Sequence, residues 1–231
     1  MAGQYDESKH KRHPKGSGDE GGQFASKGGT DFEDDDQSGA YLDEELSTKE
    51  KKALALSIAE AMGFPEKSVK FLEKAPPGER GLRGMAFHGD RFGRGFKAGY
   101  KDGDILLVLG NLNTREMLVG VTAHEIAHHW FRRSMDSPDR NPVVNDLLNR
   151  SRTHERLRRE DGVTKYSRDF WVLHQHGVAT YLQAANETYA EIMSLQASGG
   201  DLSGVSAAWT RVFNGISSQH SLLRKKPKGK T

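Results

Sequence analysis

Apolar residues concentrate between residues 46 and 218, and their spacing predicts helices with a few short strands. A capping-box pattern at Ser47 and Glu50 precedes an apolar face and predicts a first helix that ends at Gly63. Pro65 predicts the start of a second short helix, which the prolines at 76 and 77 stop. Glycines alternate with apolar residues over 84–101, which favours short strands, and the continuous apolar run 105–109 predicts a buried strand.

The rest of this region predicts further helices. The first opens near Asn113 and Glu116 and runs through Phe131, and a basic amphipathic helix covers 142–160. A long helical stretch follows over 169–198, with a break at Gly177, and a last helix covers 202–216. The pattern predicts an α+β, mostly helical fold with a small N-terminal sheet packed on the helix that contains residues 124–128. Residues 1–45 are expected to form a disordered tail, 46–218 the domain and 219–231 a basic tail.

The composition limits which metal ligands and which cellular location this domain can have. The chain has 231 residues and contains no cysteine, so a metal would have to be bound by histidines and carboxylates. The first 30 residues lack an apolar segment typical of a signal peptide, and no apolar run is long enough to span a bilayer. We therefore expect a cytoplasmic protein with no membrane partner.

The run from Val121 to Trp130, VTAHEIAHHW, contains the pattern H-E-x-x-H. At about 3.6 residues per turn, His124 and His128 lie on one helix face, where both rings can bind one Zn²⁺ at about 2.0–2.1 Å. Glu125 lies beside them, where it can activate a water molecule on the metal. His129 is expected to face away, being about 100° round the helix from His128. The sequence therefore predicts Zn²⁺ as cofactor.

These residues resemble the zincin metallopeptidases. The zincin pattern has Val or Thr three positions before the first histidine and an apolar residue two positions after the second, which Val121 and Trp130 match. The metzincin branch requires Gly and His where this chain has Phe131 and Ser134. The resemblance implies a zincin-like domain that hydrolyses peptide bonds of a protein or peptide substrate. In that role Glu125 takes a proton from the zinc-bound water and passes it to the leaving amine.

A catalytic zinc needs a third protein ligand, which the zincins of the gluzincin branch take from a second helix. The run Asn186-Glu-Thr-Tyr-Ala-Glu191 resembles that glutamate helix. The resemblance implies that Glu187 is the third metal ligand and that Glu191 holds a ligand histidine in the correct tautomer from outside the coordination. Neighbouring alanines would allow this helix to approach the first closely.

Alternatives remain open at this stage. His154, placed 26 positions after His128, would give a site that resembles the SprT-like peptidases. His174 and His176 are further candidate ligands. A hydrogen-bond donor to the developing oxyanion could be either of those histidines or one of three tyrosines: Tyr166, Tyr181 and Tyr189. The sequence does not choose among these five residues. A non-catalytic zinc-binding or structural interaction protein is the rival interpretation.

The two ends of the chain indicate a setting. Residues 13–27 resemble linker sequences common in phage and prophage structural proteins, of the type H-P-x-G…G-x-F-x-x-K-G. This resemblance implies a phage-associated peptidase, acting in the cytoplasm, in the virion or as an exported effector. A basic cluster at the other end predicts weak, salt-sensitive contact with nucleic acid: Arg224, Lys225, Lys226, Lys228 and Lys230.

Overall fold

A computed structural model of the chain describes residues 23–25, 46–87, 99–152 and 163–225. In these ranges the fold is α+β and mostly helical, as the sequence predicts. The helices are α1 (Thr48–Ala61), α2 (Arg115–Asp136), α3 (Pro142–Arg152), α4 (Lys165–Gln175), α5 (Tyr181–Ser198) and α6 (Ala207–Lys225). The strands are β1 (Gln23–Ala25), β2 (Val69–Leu72), β3 (Leu82–Ala86) and β4 (Ile105–Val108).

The strands form one mixed sheet in the order β1-β3-β4-β2. Strand β3 pairs antiparallel with β1 and β4, and β2 pairs parallel with β4. Every residue of β4 is buried, because both faces of the sheet are covered by apolar side chains. One of these faces packs on α1 and α2 through Ala86, Ile105 and Leu107. The predicted packing of a small sheet on the helix of residues 124–128 is therefore present.

The prediction of a helix that begins at Pro65 is wrong. A short 3-10 turn over Glu66–Ser68 leads directly into β2. Residues 69–72 of β2 pair one to one with residues 105–108 of β4. This pairing with a strand far along the chain outweighs the local preference for a helix after proline.

Several helix boundaries also differ from the prediction. Helix α2 is capped by Thr114, whose hydroxyl accepts a hydrogen bond from the Met117 N–H, and not by Asn113. The break at Gly177 is present, with φ of 72°, and separates α4 from α5. Helix α6 begins at Ala207 and continues to Lys225, so it starts and ends later than the predicted last helix over 202–216. The expected strands over 88–98 and the predicted helix over 153–160 lie outside the described residues.

Helices α2 and α5 pack closely and form the centre of the helical layer. Alanines of both helices are fully buried where they meet, and Gly120 faces Ser194, whose Oγ lies 2.8 Å from where a Cβ of residue 120 would be. Small side chains therefore set the short separation of the two helices. Within the described ranges no helix has the length and apolar character that a membrane span requires.

Candidate metal centre

The packing of α5 on α2 brings together the two histidines of H-E-x-x-H and Glu187. Glu187 Oε2 lies 3.5 Å from His124 Nε2 and 3.7 Å from His128 Nε2. The two imidazole rings stand edge to face with centroids 4.6 Å apart. Each residue offers one ligand atom, and these atoms all lie within 4.8 Å of one another. Among the described residues, this buried group of two histidines and one carboxylate can hold a metal ion.

The spacing of the three donors fits a small divalent cation. Tetrahedral bonds of about 2.0–2.1 Å place two ligand atoms about 3.3 Å apart. The carboxylate oxygen is within a few tenths of an ångström of that separation from both ring nitrogens. Two imidazoles and one carboxylate suit Zn²⁺ and also other first-row divalent cations. The donor set therefore fits the cation predicted from the sequence without selecting it among similar metals.

Each histidine has a further polar neighbour on α5. Glu191 Oε1 lies 3.0 Å from His124 Nδ1, and the side chain of Asn186 lies near His128 and favours the charged form of that ring. Glu191 follows Glu187 by one helical turn, so one face of α5 supplies both carboxylates, while Asn186 directly precedes Glu187 and lies about 100° round the helix from it. With its Nδ1 beside Glu191, the ring of His124 turns Nε2 toward Glu187, where a bound metal would replace the proton that this nitrogen otherwise carries.

The charges of the three candidate ligand side chains strongly affect one another. Burial alone would lower the pKa of His124, but its contacts with Glu187 and Glu191 outweigh burial and raise that pKa to about 10. Burial lowers the pKa of His128, although the charge of Glu187 opposes this change. Burial also disfavours ionisation of Glu187, and the two histidines together overcome it and lower its pKa. A positive charge among these side chains is therefore favoured, whether carried by a proton or by a metal.

Glu125 is fully buried beside this group without belonging to it. Its carboxylate packs against β3 at Gly84, where a Cβ would lie 2.7 Å from Oε1. Burial raises the pKa of Glu125 to about 8, and the nearby charge of Glu187 adds to the rise, whereas His124 and the backbone N–H of Ala86 oppose it. Such a carboxyl group can exchange a proton close to neutral pH.

Helix α4 closes another side of the site with Tyr166. The ring of Tyr166 meets the ring of His124 edge on, with centroids 6.3 Å apart, and its hydroxyl donates a hydrogen bond to Glu187. Burial and the charges of the surrounding glutamates raise the pKa of Tyr166 well above its usual value. The hydroxyl therefore stays protonated and acts as a hydrogen-bond donor. Of the tyrosines proposed from the sequence, this one lies at the site.

The other candidates lie elsewhere or have other contacts. His174 Nδ1 is 3.1 Å from Ala179 O, and His176 is exposed at the end of α4. The Tyr189 hydroxyl contacts Ser217 Oγ, while Tyr181 packs against Trp171. His129 Nε2 lies 3.2 Å from Asp104 O. His154 lies outside the described residues.

Sequence reasoning missed three contributors: Gly84, Asn186 as a polar neighbour of His128, and Thr164, whose hydroxyl contacts Glu191. A glycine inside a strand often marks a close approach of another group, so Gly84 carried a usable signal. Thr164 carries no such signal, because its contact with Glu191 joins residues 27 positions apart.

Three comparisons with known proteins give no relative. No family model, no curated protein and no solved structure matches the chain. The function is therefore argued from the residues of the site.

Proposed function

We propose that the chain is a zinc-dependent endopeptidase with a zincin-like domain and a gluzincin type of ligand set. The observation that carries the proposal is the combination of His124, His128 and Glu187 with a buried carboxyl group, Glu125, that is not a ligand. Three protein ligands are the usual number in catalytic zinc sites, which keep one position for water or substrate.

The burial of Glu125 supports a catalytic role for the metal centre over a structural one. Burying a carboxyl group costs free energy that a purely structural centre would avoid with an apolar side chain of similar size. The group is 0% exposed, and its pKa is raised to about 8 because it is buried. A buried acid with a pKa near neutrality, adjacent to a metal ligand, is typical of a group that moves protons.

Each residue then has a defined task in peptide hydrolysis. A bound Zn²⁺ would acidify a water molecule and polarise the scissile carbonyl. Glu125 accepts a proton from water and later delivers it to the leaving amine, and a nearby dication lowers its pKa into the range where it accepts protons at neutral pH. The Tyr166 hydroxyl, which stays protonated, would exchange its acceptor on Glu187 for the carbonyl oxygen as negative charge develops there.

The substrate in this proposal is a protein or peptide. The linker-like sequence over 13–27 supports a phage-associated setting, in the cytoplasm, in the virion or as an exported effector. The basic residues after 223 support at most a weak, salt-sensitive contact with nucleic acid. The rival function is a zinc-binding protein without catalysis, and one experiment separates the two.

The test compares Glu125→Gln with the unchanged chain. We expect Glu125→Gln to keep bound zinc and thermal stability, while hydrolysis of an unfolded protein such as casein falls by about 10²- to 10⁴-fold, the usual contribution of general acid–base catalysis. Glu116→Gln, an exposed change on the same helix, is the matched control and should keep full activity. Zinc binding without cleavage by the unchanged chain would favour the rival function, and full activity of Glu125→Gln would refute the role of Glu125.

A further inference from the structure

A hydrogen bond joins the start of α4 to the helix that carries Glu187. Thr164 Oγ1 donates to Glu191 Oε2 at 2.6 Å, and the other oxygen of the same carboxylate lies 3.0 Å from His124 Nδ1. Thr164 precedes α4, Glu191 belongs to α5 and His124 to α2. Three side chains from three segments thus form one chain of contacts that ends at a candidate metal ligand.

The contact with Thr164 fixes the direction in which Glu191 presents its carboxylate. Glu191 is 2% exposed, so water cannot easily replace a lost partner of Oε2. With one oxygen held by Thr164, the other stays 3.0 Å from His124 Nδ1. That contact keeps the Nδ1 proton of the ring on Glu191 and Nε2 turned toward Glu187, where a metal would bind. Without the hydroxyl, the carboxylate can rotate and the ring loses this constraint.

The same hydroxyl also sets the position of α4. Thr164 Oγ1 accepts a hydrogen bond from the Ser167 N–H and so caps the helix. Tyr166, which contacts His124 and Glu187, follows Thr164 by two residues. Movement of Thr164 relative to Glu191 would therefore shift Tyr166 and release His124 together.

We propose that Thr164 is a positioning residue of the metal centre, which acts through Glu191 on the ring orientation of His124. The inference rests on the proposed function and deepens it, because it assigns a determinant of metal affinity outside the ligands. Its role differs from ordinary helix capping, since the contact that matters is the one with Glu191 across 27 positions of sequence.

The experiment measures zinc affinity in the full chain by competition with a chromophoric chelator. Thr164→Val keeps the shape and removes the hydroxyl, and we expect it to bind zinc about 10- to 100-fold more weakly, the usual effect of losing an outer partner of a ligand histidine. Thr164→Ser keeps a hydroxyl, so its zinc affinity should stay within about twofold of that of the unchanged chain. The Co²⁺-substituted proteins provide a second readout, because their visible absorption reports the ligand geometry, and only Thr164→Val should change it.

Ser167→Ala is the matched control for capping. Ser167 Oγ accepts hydrogen bonds from the N–H groups of Val163 and Thr164, so its loss weakens the start of α4 but leaves the contact between Thr164 and Glu191 in place. We expect Ser167→Ala to lower thermal stability with little change in zinc affinity. Thr164→Gly is the second variant should Thr164→Val not fold, because glycine is tolerated as a helix cap and also lacks the hydroxyl.

Two outcomes overturn the positioning role. The first is wild-type zinc affinity and an unchanged Co²⁺ spectrum in a folded variant without the hydroxyl. The second is an equal loss of affinity in Ser167→Ala, which would reduce Thr164 to a capping residue. Failure of the proposed function gives a different pattern, because then Glu125→Gln keeps activity or the unchanged chain cleaves nothing, whatever Thr164→Val does to zinc affinity.

Discussion

The close approach of β3 to Glu125 makes Gly84→Ala a sharp test of the site. A Cβ at position 84 would lie 2.7 Å from Glu125 Oε1 and 2.8 Å from Val121 Cγ1, whereas ordinary contact begins at 3.4 Å. Both neighbours belong to α2, which is held against the sheet by buried apolar residues. Either the strand and the helix separate by about 0.7 Å, or the Glu125 side chain moves by that amount.

The size of the effect follows from this displacement. Overpacking by one methyl group in a close-packed region costs about 1–3 kcal/mol. A loss of this size lowers Tm by about 3–10 °C in a domain of this length. A displacement near 1 Å at a catalytic group can cost about 100-fold in rate, so we expect kcat/KM to fall by about 10- to 100-fold. Zinc should remain bound, because β3 carries none of the three ligands.

The assay combines casein hydrolysis, thermal unfolding and metal analysis on the same preparation. Gly204→Ala is the matched control, since a Cβ there meets no atom within 4 Å and should change nothing. Wild-type activity and Tm in Gly84→Ala would refute the close packing of β3 on Glu125. Loss of zinc in proportion to activity would show that the change acts through the ligand helix and not through Glu125.

Two further predictions concern the metal itself. Glu187→Ala removes the carboxylate ligand, so zinc affinity should fall by more than the roughly 10- to 100-fold loss expected for an outer partner, and a competition titration giving wild-type affinity would contradict the ligand assignment. Burial disfavours a charged His124, but Glu187 and Glu191 raise its pKa to about 10. Metal binding must therefore displace a proton from this ring. Zinc affinity should rise by up to about tenfold per pH unit from pH 7 to 9. In the metal-free protein, the raised pKa of His124 stabilises the fold. This stabilisation is fully present below pH 6.5, the pKa of an unfolded histidine, and should be lost as pH rises through about 10. Calorimetry in buffers of different ionisation enthalpy measures the released proton, and an affinity independent of pH would contradict the shift.

The parts of the fold and site that the sequence predicts are those that depend on local periodicity. His124 and His128 are four positions apart, so any helix through them places both rings on one face. The apolar run of β4 is readable because both faces of that strand are buried. The helix with Glu187 is predicted from its resemblance to the glutamate helix of gluzincins, and its small residues indicate close packing. These signals are contained within single helices or strands.

The parts that the sequence does not predict depend on which segments meet. Residues 69–72 look helical after Pro65 until their partner strand at 105–108 is known. Gly84 and Glu125 are neighbours only because β3 packs on α2. Likewise the sequence does not distinguish Tyr166 from the other candidate tyrosines, because only the packing of α4 beside His124 brings Tyr166 to the site. Such pairings are set by tertiary packing, for which short segments carry little information.

The position of α5 against α2 determines most of the site at once. Glu187 Oε2 lies within 3.7 Å of both histidines and Glu191 contacts His124 from the same face of α5, so rotating this helix would remove a candidate ligand and the partner of His124 together. The orientation is held by small residues at the helix interface, where Gly120 accommodates Ser194 and buried alanines fill the space between the backbones. A larger side chain at such a position would therefore weaken metal binding without touching a ligand. The geometry of the metal centre is thus a consequence of how closely two helices can pack, and the chemistry of Glu125 depends on the sheet that packs on the same helix.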